Sequence, residues 1–177
     1  MLKKYIIAAS LSMAVAFANS AQAEMALTVE DIVKIFSKQK TRGLVLAPVT
    51  TDEEVDTKET FVSLPKEEQV NLNIEFDFDS TMLKPNQKPK LALLCQAMLA
   101  VNAKGFKIVG HTDDSGTEIY NMNLSKLRAE EVKRHLVETC DIDPDILYAE
   151  GVGEHFPFDE ADPNADINRR VEFQVAG

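Results

Sequence analysis

Three polar side chains stand at spacings suited to gripping a small charged group. Asp113 lies in a run of turn formers, His111-Thr112-Asp113-Asp114-Ser115-Gly116. Asn121 and Arg128 follow it seven residues apart, two turns along one face of any helix that holds both. A helical arginine leans back toward the helix N-terminus, so Arg128 can approach the loop carrying Asp113, with the Asn121 amide between them. A guanidinium forks a carboxylate, an aspartate accepts an ammonium, and an amide serves either. The trio therefore fits a zwitterionic ligand. It fits equally a plain Asp113–Arg128 salt bridge or two solvated charges.

Other patterns do not reach a working constellation. Asp114-Ser115-Gly116 has the tripeptide of aspartic proteases, but no second copy stands in a matching apolar context to share a proton. His111, His135 and His155 are twenty or more residues apart, without local zinc spacing. His111 is expected to support its loop through a hydrogen bond. Asp162-x-Asn164-x-Asp166 begins like a calcium loop, yet Ile167 and Phe173 occupy the positions that require Gly and Glu. Ser37-Lys38-Gln39-Lys40 matches Ser-x-x-Lys without its companion motifs. The expectation is a non-enzymatic chain with no metal and no cofactor.

A strand must end before the Asp113 loop and a helix must begin after it. Phe106 to Val109 is a short apolar run ending at Gly110, as a buried strand would. Ser115 or Thr117 is placed to cap the following helix, whose apolar positions are Tyr120, Leu124, Leu127, Val132 and Leu136. Upstream, Val70 to Phe78 alternates apolar and polar residues, the pattern of a half-buried strand. Pro85 and Pro89 confine the next helix start to their neighbourhood; Leu91, Leu94, Cys95, Met98 and Leu99 form its apolar face, and Gly105 is read as its end. Tyr148 to Val152 and Arg170 to Val175 supply two more strands. Strand, helix, strand, helix in succession predicts a sheet with crossover helices.

The stretch Gly110-His111-Thr112-Asp113, Gly116, Tyr120-Asn121, Leu124-Ser125, Arg128-Ala129 resembles the signature of the OmpA-like (OmpA/MotB C-terminal) peptidoglycan-binding domain. The resemblance continues through Ile74-Glu75-Phe76-Asp77-Phe78-Asp79-Ser80 with Leu83-Lys84-Pro85, then Gly151-Val152-Gly153-Glu154 with Pro157, and Asn168-Arg169-Arg170-Val171-Glu172. It covers about Val70 to Val175. It implies an α+β fold, a two-layer β-α-β-α-β-β sandwich whose mixed four-stranded sheet has the fourth strand inside. It also implies that Asp113 and Arg128 grip the diaminopimelate residue of a peptidoglycan stem. Thr112, Asn121 and Leu124 would line that pocket, Asp77 and Phe78 would form its rim, and Arg170 matches more weakly. Peptidoglycan is thus the implied partner, and a periplasmic location at the outer membrane or cell wall the implied setting.

The domain is expected to span 70–177. Residues 1–23 read as a secretory signal peptide: Lys3 and Lys4, an apolar run from Tyr5 to Ala18, and Ala21-Gln22-Ala23. The run is shorter than the about 20 residues a membrane span requires, so no transmembrane segment is expected in the mature chain. A lipid anchor is excluded because the first cysteine is Cys95. Loss of Lys3 and Lys4 takes the net charge from −10 to −12, which argues against nucleic acid as a partner. Residues 24–69 form an extension with a short helix from Leu27 to Phe36, capped by Thr28 and Asp31. A small apolar patch, Gly43 to Pro48, and a largely flexible acidic linker from Thr50 to Gln69 follow. The extension is either a docking segment for an envelope protein or a helix packed on the domain, or a spacer. An export setting permits a disulfide between Cys95 and Cys140. Cys95 is mid-helix and Cys140 follows the second helix, so with the helices side by side and parallel, two free thiols are expected.

Overall fold

The computed structural model describes residues 27–42, 61–74, 76 and 80–176. The proposed signal peptide, the patch at Gly43 to Pro48, most of the acidic linker, and Asp77 and Phe78 lie outside the described residues.

The elements run α1 (Val29–Arg42), β1 (Val70–Leu72), α2 (Lys88–Val101), β2 (Gly105–Gly110), α3 (Glu118–Cys140), β3 (Leu147–Gly151) and β4 (Val171–Ala176). The sheet order is β1-β4-β2-β3. β4 is antiparallel to both neighbours and β2 is parallel to β3, so the sheet is mixed, with the last strand inside it. Val70, Phe173, Ile108 and Ala149 stand in one row across the sheet. They belong to the main core, together with Leu91, Leu94, Val132 and Leu136 from α2 and α3. The next row, Asn71, Glu172, Val109 and Glu150, points to the opposite face, as the two-residue period of a strand requires. That face carries a smaller apolar cluster, Phe61, Val109 and Val152, with Phe156 packed against it.

Local chemistry sets the element ends. Pro85 opens a one-turn 3-10 segment and Pro89 occupies the first turn of α2, where a missing N–H costs nothing. Asn102, at φ 47°, terminates α2, because asparagine tolerates the left-handed conformation. Gly105, the residue expected to end this helix, instead begins β2. Thr117 caps α3 by accepting the Tyr120 N–H at 3.3 Å. β1 is confined to three ladder residues, although burial continues at Ile74.

The extension contributes to the core. Thr28 and Asp31 cap α1 reciprocally, at 3.1 and 3.2 Å. The helix then runs to Arg42, beyond the expected end at Phe36. Ile32 and Phe36 are buried in the main core, with the Phe36 and Phe106 ring centres 5.4 Å apart. Gln39, also buried, donates to the Glu68 carbonyl at 2.6 Å and accepts the Val175 N–H at 2.7 Å. Lys40 donates to the Val101 and Asn102 carbonyls, the acceptors that a helix C-terminus leaves unpaired. Residues 61–69, read as part of a linker, are anchored by burial of Phe61 and Leu64 and by the Gln174 amide donating to Val62 O at 2.9 Å.

The buried face of α3 differs from its apolar pattern. Tyr120 and Leu127 are exposed, while Asn121, Ser125 and Ala129 face inward. The helix backbone passes directly over the ends of β2 and β3, where only small side chains fit. A Cβ on Gly110 would stand 2.8 Å from the Ser125 carbonyl carbon, and one on Gly151 would stand 2.7 Å from Lys126 Cα. Both neighbours are backbone and cannot swing aside. Gly110→Ala is expected to lower unfolding free energy by about 2–3 kcal/mol, readable as a shift in urea midpoint at unchanged slope.

Cys95 and Cys140 are disulfide-bonded, with Cα atoms 5.9 Å apart. The expectation of free thiols required helices that begin at the same level. The short Cα separation shows instead that the end of α3 comes level with the middle of α2.

Candidate functional site

β2, β4 and α3 converge at one end of the sheet. There a cavity of about 370 Å³ opens, lined by Ile74, Phe76, His111, Arg128, Arg169 and Arg170 among others. Its cations differ in how their charge is met.

Arg128 is 8% exposed. Its Nε donates to the Ser80 carbonyl at 3.3 Å, and its guanidinium carbon lies 4.9 Å from the centre of the Phe76 ring, a cation–π arrangement. No carboxylate among the described residues forms an ion pair with it. Burial lowers its pKa from the usual arginine value, with smaller contributions from Tyr120, Arg169 and Asp113. The plain Asp113–Arg128 salt bridge that the spacing allowed does not form.

Asp113 pairs with Arg169 instead. Its Oδ2 accepts from Arg169 Nη1 at 2.6 Å, and its Oδ1 accepts the Ser115 N–H at 3.2 Å, an Asx turn that holds the loop. Arg169 Nη2 bonds to Asp166 as well. These bonds, the one to Asp113 first, hold the Arg169 pKa above its usual value. The spacing of Asp113, Asn121 and Arg128 does not point to Arg169. The signal was present in the Asn168-Arg169-Arg170 run: adjacent residues entering a strand point to opposite sides, so the two arginines must take different partners.

Asn121 stands close to Asp113, though not between two charges. It is 1% exposed, and its Nδ2 donates to the Asp113 carbonyl at 3.4 Å and to the Glu154 carboxylate. Thr112 is buried, with its N–H donating to the Gly153 carbonyl at 2.9 Å and its hydroxyl unpartnered among the described residues. Leu124 is half-buried on α3. The structure thus brings Asp113, Asn121 and Thr112 into one loop-and-helix junction and places Arg128 on the adjoining cavity wall.

Behind the cavity, on the sheet face away from α2 and α3, lies a buried charged trio. His111 Nε2 is 3.4 Å and Arg170 Nη2 is 3.6 Å from Glu172 Oε2. Arg170 also donates to Asn71 Oδ1 at 3.1 Å and to the Phe156 carbonyl. Burial pulls its pKa down to about 10. The hydrogen bond expected from His111 to its loop is not found among the described residues; the ring instead approaches Glu172 and makes an edge contact with Phe61.

Burial also lowers the His111 pKa, outweighing the opposing pull of Glu172. The unfolded chain therefore binds this proton more readily than the folded one. Its contribution to stability is complete above the ordinary histidine pKa and is lost as pH falls below about 6.5. The expected slope is at most about 1.4 kcal/mol per pH unit. Urea titrations at neutral and mildly acidic pH should show that slope reduced in His111→Gln.

Residues 75–170, more than half of the chain, match the OmpA family model. The chain belongs to the OmpA family. Outer membrane protein A of Bordetella avium is 39% identical over 109 residues, covering 60% of this chain and 56% of that protein. Outer membrane porin F of Pseudomonas fluorescens is 37% identical over 109 residues, covering 60% of this chain and 33% of that one. The chain therefore spans about half, or a third, of the length of these curated relatives. Among solved structures, the cell wall anchor of the T6SS from Pseudomonas aeruginosa aligns at TM-score 0.52 and 29% identity, over 62% of this chain and 80% of that chain.

The relatives in this comparison are named as outer membrane proteins and, for the solved structure, as a cell wall anchor. Among the described residues of this OmpA-family chain, no cluster of His, Cys, Asp or Glu could hold a metal ion. No described helix is long and apolar enough to cross a membrane.

Proposed function

We propose that this OmpA-family domain holds peptidoglycan non-covalently by gripping the diaminopimelate residue of the peptide stem. Arg128 would fork the carboxylate at the free end of diaminopimelate and Asp113 would accept the neighbouring ammonium. Thr112, Asn121 and Leu124 would complete the wall of the site, with Asp77 and Phe78 at its rim. Residues 1–23 would direct export, placing the domain, residues 70–177, in the periplasm, where it would tether or organise the envelope.

One observation carries this reading: a buried arginine beside an open cavity, with no described carboxylate to meet its charge. Such a charge is costly to keep, and a carboxylate ligand would meet it. The likeness to a cell wall anchor and to outer membrane proteins supports the same class of ligand. The alternative, in which residues 24–69 dock a partner protein, is disfavoured for α1, whose Ile32 and Phe36 are already committed to the domain core. The test is co-sedimentation of the purified protein with diaminopimelate-type sacculi. Pelleting in proportion to sacculi is expected; a folded protein that stays in the supernatant would overturn the proposal.

A further inference from the structure

The three arginines lining the cavity are not equivalent. Arg169 has both terminal nitrogens committed, one to Asp113 and one to Asp166. Arg170 is held by Glu172, Asn71 and the Phe156 carbonyl. Arg128 alone of the three has no carboxylate among the described residues; its hydrogen bond to Ser80 O uses Nε. Its Nη1 and Nη2 carry no bond to a described residue, and the side chain lines the cavity.

We infer that Arg128 makes this site selective for a stem whose diaminopimelate carboxylate, the one beside the free amine, is ionised, and that it rejects the same stem carrying a carboxamide there. The inference rests on the proposed function and adds the chemical form of the ligand.

The physical reason is donor–acceptor matching. A guanidinium presents parallel N–H donors to the two oxygens of a carboxylate. A carboxamide offers one oxygen and turns an N–H₂ donor toward the second arginine donor. Amidation thus removes the compensating charge, forfeits one hydrogen bond and opposes two donors in a largely buried place. Neither of the other arginines can substitute without abandoning a carboxylate it already holds. Arg169 in particular keeps Asp113 in place, so its departure would disturb the group that receives the ligand ammonium.

The experiment titrates the protein with two synthetic tetrapeptide stems, differing only in whether that carboxylate is free or amidated. It is run on the wild type and on Arg128→Gln, with circular dichroism confirming that both are folded. Glutamine retains a hydrogen-bond donor without the charge or the fork. The wild type is expected to bind the free acid at least ~10-fold more tightly than the amide. In Arg128→Gln the ratio should fall to within about 2-fold, through loss of affinity for the free acid. Equal wild-type affinity for the two stems would overturn the inference while leaving the proposed function intact. A ratio that persists in Arg128→Gln would assign selectivity to another residue and overturn it as well. Wild-type protein that binds neither stem would remove the proposed function, and this inference with it.

Discussion

Arg128→Ala is expected to abolish pelleting with sacculi while leaving a folded protein. The side chain lies on the cavity wall and its described bonds are few: one to a carbonyl oxygen and one stacking contact with Phe76. Removing it deletes a buried charge that has no described acid partner, so folding loses little and can gain. Binding loses a charge-assisted, forked interaction, for which truncation costs about 2–5 kcal/mol, or on the order of 30-fold or more in affinity. Asp113→Asn provides the contrast. Its partner Arg169 would keep Asp166, so the loop should hold, while the acceptor for an ammonium loses its charge. Retention on sacculi should fall in both variants, with thermal midpoints near that of the wild type. If Arg128→Ala pelleted as well as the wild type, the site would have to be sought elsewhere.

Reduction of the Cys95–Cys140 disulfide is expected to produce the largest loss of stability. The two cysteines are 45 residues apart, and in the chain-entropy description closing a loop of that size stabilises the fold by about 4 kcal/mol. The covalent loop contains the end of α2, all of β2, the Asp113 loop and all of α3 up to its last residue. Urea unfolding with and without reductant should show the difference, and Cys95→Ser with Cys140→Ser should reproduce the reduced curve. Coincident curves would show that packing alone holds the end of α3 against α2.

Much of the fold was legible because its signals are local. Pro85 and Pro89 mark the entry to α2, Thr117 the entry to α3, and the alternation from Val70 and from Arg170 marks strands. Signals set by contact were harder to read. Tyr120 and Leu127 look like core positions, yet the close passage of α3 over Gly110 and Gly151 turns Asn121, Ser125 and Ala129 inward instead. Periodicity reports which face is apolar; it does not report how near a neighbouring backbone lies. The same limit hid the disulfide, because the relative stagger of two helices is a property of their packing. At the site, the residue types and the loop identified Asp113, Asn121 and Arg128. The choice of Arg169 as the partner of Asp113 depends on a strand entry 56 residues away, which no local pattern encodes.

The position of α1 separates the evolutionary unit from the folding unit. The family match begins at residue 75, but two fully sheltered side chains of the core, Ile32 and Phe36, come from the helix that precedes it. A fragment cut at the family boundary would expose the surfaces they cover, at a cost of about 1.5–3 kcal/mol for each. It would also leave the Val175 N–H without the Gln39 side chain that accepts it. The family-matched segment and the segment that builds the core are therefore different lengths of the same polypeptide. The N-terminal helix thus supplies core surface that the family-matched segment lacks.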